Sequence, residues 1–498
     1  MIVSKGGRRS GWIAALLLLL AALALRAQTF GNPVIGYDEQ FYLVVGDRMI
    51  HGGIPFVDIF DRKPVGLFLI YAFIRLLGGD GTIQYQFVAL IFAVATALVI
   101  RRFALRLTNP FGALLAGIAY LVWLSFLEGE GGQAPVLFNL PMALAALLTA
   151  RLVERGSITA RSAALPMLLV GLAMQIKYTA LFEGIFFGLA LLDRARRERP
   201  DAAHLARLAA TWIAIALAPT LAAWLVYVAI GQGPAFVFAN FVSMFGKFGD
   251  PWQVSAEGLL TIGAILLPIL ACVAFPPASI AADVEFAERH RFVRLWLLAA
   301  TVGMLIMRSF PSPHYAMPLL TPALIAAAPR LGQRGRSRQL IVIMLALAAI
   351  ISQVVLRSLR DMKGGATEAA EIARAADPGP KGCLYIYDGY AALYRLTHSC
   401  LLSRYVFPGH LNMANESNPA ALGVDPAAEV RRILARRPET IVLDDPPFDR
   451  GNRTTYAIVR AELVRHYRLT LSVATGERHR LVYRRINSSV PPIDRTTR

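Results

Sequence analysis

Long apolar runs separated by short arginine clusters fill the first 357 positions of this 498-residue chain. The first run, Gly11 to Ala27, follows a start carrying Lys5, Arg8 and Arg9. No small-x-small cleavage site with a polar region follows it, so the pattern predicts a retained transmembrane helix rather than a signal peptide. Arginines then cluster at Arg101–Arg106, Arg151–Arg161, Arg194–Arg207, Arg289–Arg294 and Arg330–Arg338. If each cluster is cytoplasmic, two apolar segments fit between successive clusters, joined by outer loops at Glu128–Gln133, near Lys177, at Gly231–Ser255 and at Arg308–Tyr315. Val65 to Leu77 breaks this count and is expected to lie in, or re-enter, the outer interface. The pattern therefore predicts an α-helical polytopic membrane domain of about 11 to 13 crossings over residues 1–357, with a first outer loop at about 29–82.

After Arg357 the apolar runs shorten to strand length. Leu384–Tyr387, Thr440–Leu443, Leu469–Val473 and Arg480–Tyr483 alternate with helical patterns at Ala366–Ala375, Ala427–Arg436 and Tyr456–Tyr467. Residues 358–498 are thus expected to form a small α/β extracytoplasmic domain. Cys383 and Cys400 flank its first strand–helix unit, a spacing and compartment in which a disulfide is possible.

Composition reinforces the membrane reading. Hydrophobic residues make up 56% of the chain and charged residues only 17%, against about a quarter in soluble domains. The net charge of +18 would suggest nucleic acid in a soluble protein. Here most of the excess sits in the short inter-helix clusters, as orientation by positive charge requires, so membrane lipids and not nucleic acid are the expected surroundings. The expected location is a cell inner membrane, multi-pass, with the N-terminus cytoplasmic and the C-terminal domain periplasmic. Three cysteines exclude a disulfide scaffold, and none falls at metal-ligand spacing.

Charge placement raises a further point. Only six of the 51 basic residues are lysines, and the three within the membrane body, Lys63, Lys177 and Lys247, all fall on the outer side of this topology together with Arg62, Arg308 and His314. Cations set against the orientation rule suit an anionic ligand at the outer leaflet, the simpler alternative being side chains that snorkel to the interface. Carboxylates gather on the same side. Asp38 and Glu39 open an amphipathic helix that carries Phe41, Tyr42, Val45 and Met49 on one face and ends at Gly52-Gly53. Asp58 and Asp61 follow on the same loop, and Glu128 and Glu130 lie on the next, with Gln133 and Asn139 close behind. Carboxylates from two loops meeting over the bundle would supply a base towards a hydroxyl or amine and would position the substrate, or would hold a divalent cation.

The run Asp38-Glu39 … Tyr42 … Met49 … Gly52-Gly53 … Asp61-Arg62-Lys63-Pro64 resembles the first outer loop of the GT-C membrane glycosyltransferases, specifically glycosyltransferase family 39, which includes protein O-mannosyltransferases and lipid A aminoarabinose transferase. Gly171–Thr179, closing on Lys177, resembles that family's Gly-rich helix. Pro313-His314-Tyr315 with Pro318-Leu319-Leu320-Thr321-Pro322 resembles its His-Tyr … Leu-Leu-Pro helix. The likeness spans about residues 10–360. Proline is usual where Val65 follows Pro64, and Phe138-Asn139-Leu140-Pro141 replaces an Asn-x-Glu pattern, so the sequence departs at both places.

The resemblance implies Asp38 as candidate general base and Lys63 as the contact to a donor phosphate, with Glu128 or Glu130 as the second acidic residue. It implies a polyprenyl-phosphate sugar as donor and a lipid, glycan or protein as acceptor. Arg62, Lys177, Lys247, Arg308, His314 and Tyr315 are the further candidates around the phosphate, Glu39 joins the acidic set, and Tyr42, Asp61 and Gln133 are candidates for positioning. No nucleotide-binding Gly-rich motif occurs, which suits a donor made elsewhere. No cofactor is required by the sequence, although Mg or Mn on carboxylate oxygens is possible. Two other readings compete: a transporter, against which stands the lack of an internal repeat, and a membrane-anchored sensor, which needs no acidic first loop.

Overall fold

A computed structural model describes residues 5–155, 158–278 and 283–486. The ends of the chain, Met1–Ser4 of the basic start and residues 487–498 of the C-terminal segment, lie outside the described residues, as do parts of the loops after Arg155 and Ala278. The chain folds as two compact units. One comprises residues 1–30, 86–223 and 251–356, the other residues 31–85, 224–250 and 357–498.

The first unit is a helical bundle. Among the described residues, six helices, beginning at Thr82, Ala134, Ala202, Trp252, Val284 and Arg336, are long and apolar enough to cross a membrane. Shorter apolar helices occupy Gly11–Arg26, Pro110–Leu124 and Ala164–Met174. Outward side chains of these helices, such as Leu172, Leu217, Leu221 and Leu267, are exposed, as a lipid-facing surface requires. The helix Met317–Leu331 sits at the heart of the bundle, packed against Pro110–Leu124, Trp252–Ala274 and Val284–Met307. It is buried along nearly its whole length in spite of prolines at 322 and 329. Gly112 allows its closest approach, since a Cβ there would fall 2.5 Å from the Gly332 Cα.

The second unit combines two short helices with a sheet. The helices Tyr37–Ile50 and Val65–Leu76 pack side by side. Gly46 makes this possible, because a Cβ would lie 2.5 Å from the Tyr71 carbonyl carbon. At 1.5 Å per residue, Val65–Leu76 is about 18 Å long, well short of a bilayer core of about 30 Å. Its buried face is Val65, Leu67, Phe68, Tyr71 and Ile74.

Four strands, β1 (Leu384–Ile386), β2 (Thr440–Asp445), β3 (Tyr467–Thr475) and β4 (Arg478–Arg485), form one sheet in the order β1-β2-β4-β3. β1 runs parallel to β2, while β4 is antiparallel to both of its neighbours, with a register irregularity between Leu469 and Leu471. Each of the four expected strands is present. β3 and β4 extend beyond the apolar runs because a tight hairpin at Gly476 (φ 58°) lets the flanking polar residues pair as well. Helices Ala366–Ala376, Pro426–Ala435 and Arg453–His466 accompany the sheet. Cys383 and Cys400 are joined in a disulfide, with Cα atoms 5.2 Å apart. The chain is therefore a helical membrane protein with a small C-terminal sheet domain.

Candidate active site

In the second unit, the helix Tyr37–Ile50 starts at Gly36, whose backbone is extended. A Cβ at Gly36 would fall 2.5 Å from the Glu39 carboxyl, so glycine leaves room for that buried side chain to lie over the helix start. Glu39 is thereby built into the helix terminus. One position earlier, Asp38 accepts a hydrogen bond from the Tyr42 hydroxyl one turn on, at 3.0 Å. Burial, and then the Asp38, Asp61 and Glu39 carboxylates, push the Tyr42 phenol well above its ordinary pKa. Tyr42 therefore remains a hydrogen-bond donor.

Asp61 organises the other wall. Its Oδ1 accepts from the backbone N–H groups of Arg62 at 2.5 Å and Lys63 at 2.8 Å, an Asx-type turn that leads into Pro64 and the helix beyond. The turn aims Lys63 back at the first helix. Its Nζ lies 3.8 Å from Asp38 Oδ2, 3.9 Å from Asp61 Oδ1 and 5.3 Å from the Tyr42 ring centre. Both ion pairs are longer than hydrogen bonds, and the lysine side chain is 23% exposed. A carboxylate, a phenol and an ammonium thus converge at a partly open point.

Arg62 points elsewhere. Its guanidinium makes a two-pronged contact to Glu416, 2.7 Å for each prong, and also donates to Ser243 Oγ and to the Ala421 carbonyl. Lys247 Nζ meets the same carboxylate at 3.0 Å. Burial alone would raise the Glu416 carboxyl, but Lys247 and Arg62 outweigh it and hold it below the usual carboxylate range. Next to this network, His410 is packed among Phe60, Phe407, Tyr405 and Phe41, and burial pushes its imidazole down to about 4. Arg62 and Lys247 accordingly brace the loop that carries Asp61 and Lys63. Sequence reasoning missed Glu416 and His410: both lie in single helical turns, Ala414–Glu416 and Gly409–Asn412, too short to show a periodic pattern and more than 340 positions from Arg62.

The first unit holds the remaining candidates. Glu128 has a left-handed backbone, φ 60°, and its Oε2 lies 2.7 Å from Nδ1 of His314. The imidazole lies against the Tyr315 ring, 4.8 Å between centres. Over that ring sits Lys177, its Nζ 3.6 Å from the centre, in a turn between Ala164–Met174 and Ala180–Glu198. Glu128, His314, Tyr315 and Lys177 thus form one chain of contacts from three separate segments. Glu130 is buried, and Gln133 accepts from the Ala134 N–H at the start of the next helix. Asn139 donates to the Tyr120 hydroxyl and the Met317 carbonyl, an interior structural use of that position. Arg308 is exposed at a left-handed helix end, φ 50°. Among the described residues, no group of three or more His, Cys, Asp or Glu side chains is placed to hold a metal ion.

Residues 61–224, about a third of the chain, match the family model of dolichyl-phosphate-mannose-protein mannosyltransferases. No curated protein matches the chain by sequence. Among solved structures, ArnT from Cupriavidus metallidurans bound to undecaprenyl phosphate is similar over 98% of this chain and 100% of that one, at 13% identity and TM-score 0.59. Its apo form matches over 97% and 100%, at 15% identity and TM-score 0.57. The archaeal oligosaccharyltransferase AglB from Archaeoglobus fulgidus, in complex with an inhibitory peptide and a dolichol-phosphate, matches over 98% of this chain and 75% of that one, at 12% identity and TM-score 0.52. The chain therefore shares its fold with these membrane proteins along nearly its whole length, and about a third of it matches the mannosyltransferase family model.

Proposed function

We propose that this protein is a membrane glycosyltransferase that takes a sugar from a polyprenyl-phosphate donor and passes it to a hydroxyl or amine of an acceptor. The observation that carries the reading is the convergence of Asp38, Tyr42 and Lys63, with carboxylate and ammonium 3.8 Å apart on one loop. In the reaction, the bond from the anomeric carbon to the phosphate oxygen breaks with its electron pair remaining on the phosphate. The acceptor oxygen or nitrogen bonds to that carbon, and its proton passes to Asp38. Positive charge grows on the sugar ring and negative charge on the leaving phosphate, so a preformed cation at Lys63 favours the transition state. Asp61 aims that lysine through its turn.

The match of residues 61–224 to a dolichyl-phosphate-mannose-dependent family, and the shared fold with ArnT bound to undecaprenyl phosphate, support a lipid-linked donor. Arginine clustering between the apolar helices supports a topology with the first loop and the residues after Arg357 on the non-cytoplasmic face. The test uses membranes containing the protein and a labelled polyprenyl-phosphate sugar. Label should leave the donor, and its appearance in lipid, glycan or protein fractions identifies the acceptor. Asp38→Asn should lower turnover by about 10²- to 10⁴-fold, the range for loss of a general base. Full turnover by a folded variant would remove Asp38 from this role.

A further inference from the structure

A second polar cleft lies within the unit that holds Asp38 and Lys63, and glycosyl transfer as proposed does not use it. It has a volume of about 510 Å³ and is lined chiefly by Asp47, His51, Arg75, Asp80, Arg395 and His398. A smaller hollow of about 270 Å³ shares Asp47, His51, Arg395 and His398 and adds Arg48. Three arginines thus face two aspartates, with two histidines at the exposed rim.

Part of this charge is structural. Arg75 pairs with Asp47 at 2.8 Å, Arg395 lies 3.7 Å from Asp80 and donates to Thr82, and Arg48 donates to the Ser399 carbonyl. Helix ends at Ile50, Leu76 and Leu396 also favour cations nearby. These contacts leave something over. Arg395 is 9% exposed, and its Nε is buried without a hydrogen-bond partner among the described residues. Arg395 thus lines the cleft with hydrogen-bonding capacity that the protein does not fill, which suits an acceptor from outside. The arginine excess makes that acceptor an anion.

The cleft adjoins an apolar strip. On Val65–Leu76, the helix that supplies Arg75, the side chains Leu69, Phe73 and Leu76, with Leu77 just beyond, are 52–70% exposed. They recur at i, i+4, i+7 and i+8, one face of the helix, which is apolar like the buried face but turned away from the protein. A single helix therefore carries hydrocarbon-facing residues along its side and a cation at its end. We propose that this cleft binds the phosphate headgroup of an anionic lipid, with the phosphate at Arg75 and Arg395 and the acyl chains along Leu69, Phe73 and Leu76. The site is separate from the Asp38–Lys63 cluster, and the proposal does not depend on the glycosyltransferase reading.

Full-length protein in detergent, offered equal amounts of phosphatidylglycerol and phosphatidylcholine, tests it by native mass spectrometry of the retained lipid. The wild type should retain phosphatidylglycerol preferentially. At about 1 kcal/mol for each basic side chain near a lipid headgroup, the Arg75→Gln/Arg395→Gln double variant should cut that preference roughly 25-fold, with donor consumption unchanged. His51→Gln/His398→Asn changes the rim of the cleft, leaves both arginine ion pairs in place and should lower the preference to a smaller extent; it decides the matter if the arginine variant does not fold. Equal retention of the two lipids by the wild type overturns the proposal, as does an unchanged preference in the folded variants. Thermal stabilisation by inorganic phosphate without any headgroup preference would assign the cleft to a free anion and overturn the lipid.

Discussion

Two groups of candidate residues sit in this molecule, and they are built in opposite ways. Around Lys63, charge is matched to charge over short sequence distances: Asp38 to Tyr42 across one helical turn, and Asp61 to Lys63 through one turn of chain. A fully engaged pair, Arg62 with Glu416, braces it from behind. Around His314, contact passes through rings: a carboxylate on an imidazole, the imidazole on a phenol, the phenol under an ammonium. The first arrangement fixes its groups by ion pairs and backbone hydrogen bonds. The second holds its lysine against a π face, which attracts a cation without fixing its direction.

The difference teaches which substitutions should act on folding and which on turnover. The largest effect is expected at the brace. Glu416→Gln leaves the buried Arg62 guanidinium without its counter-charge, and breaking a buried pair in this way costs about 3–5 kcal/mol. Thermal denaturation of the purified variant should show the loss, and Arg62→Met with Glu416→Met together should recover much of it. If Glu416→Gln melts like the wild type, the brace is not what holds the Lys63 loop. Lys63→Met should behave otherwise, because its ion pairs are longer than hydrogen bonds and partly exposed. Stability should change little, while turnover of a polyprenyl-phosphate sugar falls by about 10²- to 10³-fold, as expected for loss of one preorganised group facing developing negative charge.

His410 sharpens the same contrast through pH. Its imidazole is held down to about 4 by burial, whereas in the unfolded chain it returns to about 6.5. Between those values the unfolded state binds more protons, so stability is present above about pH 6.5 and is lost as pH falls towards 4. The difference amounts to on the order of 3 kcal/mol. Lowering of the Glu416 pKa acts in the same direction, its contribution fading as the carboxylate is protonated. Denaturation midpoints between pH 7 and 4 should fall for the wild type and fall less for His410→Phe. Parallel curves would show that the histidine is not the titrating group.

How much of each group was legible in the sequence follows from the same contrast. Asp38, Tyr42, Asp61 and Lys63 lie within 26 positions, and helix periodicity with turn chemistry is enough to predict their local geometry. The four strands were legible for a similar reason, since alternation in short apolar runs is itself a local signal. Glu416 was not, because it sits in the single 3-10 turn Ala414–Glu416, too short to carry a pattern, and gains meaning only when the chain returns to Arg62. Arg62 and Lys247, placed by sequence beside a donor phosphate, are both found on Glu416 instead. Charge position could say that these residues are cations near an interface, but not which anion each would reach. His314 and Lys177 were found by motif, and their link through Tyr315 came from tertiary packing alone.

The smallest effect tests the ring-mediated group most directly. Lys177 is 6% exposed and lies 3.6 Å above the Tyr315 ring. A desolvated contact of this kind is worth about 1–2 kcal/mol. A double-mutant cycle with Lys177→Met and Tyr315→Leu should return a coupling of that size in thermal stability, because each single change removes the same contact and the pair removes it once. Tyr315→Phe keeps a π face and should retain most of the coupling, which separates the ring from its hydroxyl. A coupling near zero would mean that the ring is not what holds the lysine. The two groups would then differ only in how far apart their residues lie in sequence, and no longer in the kind of force that holds them.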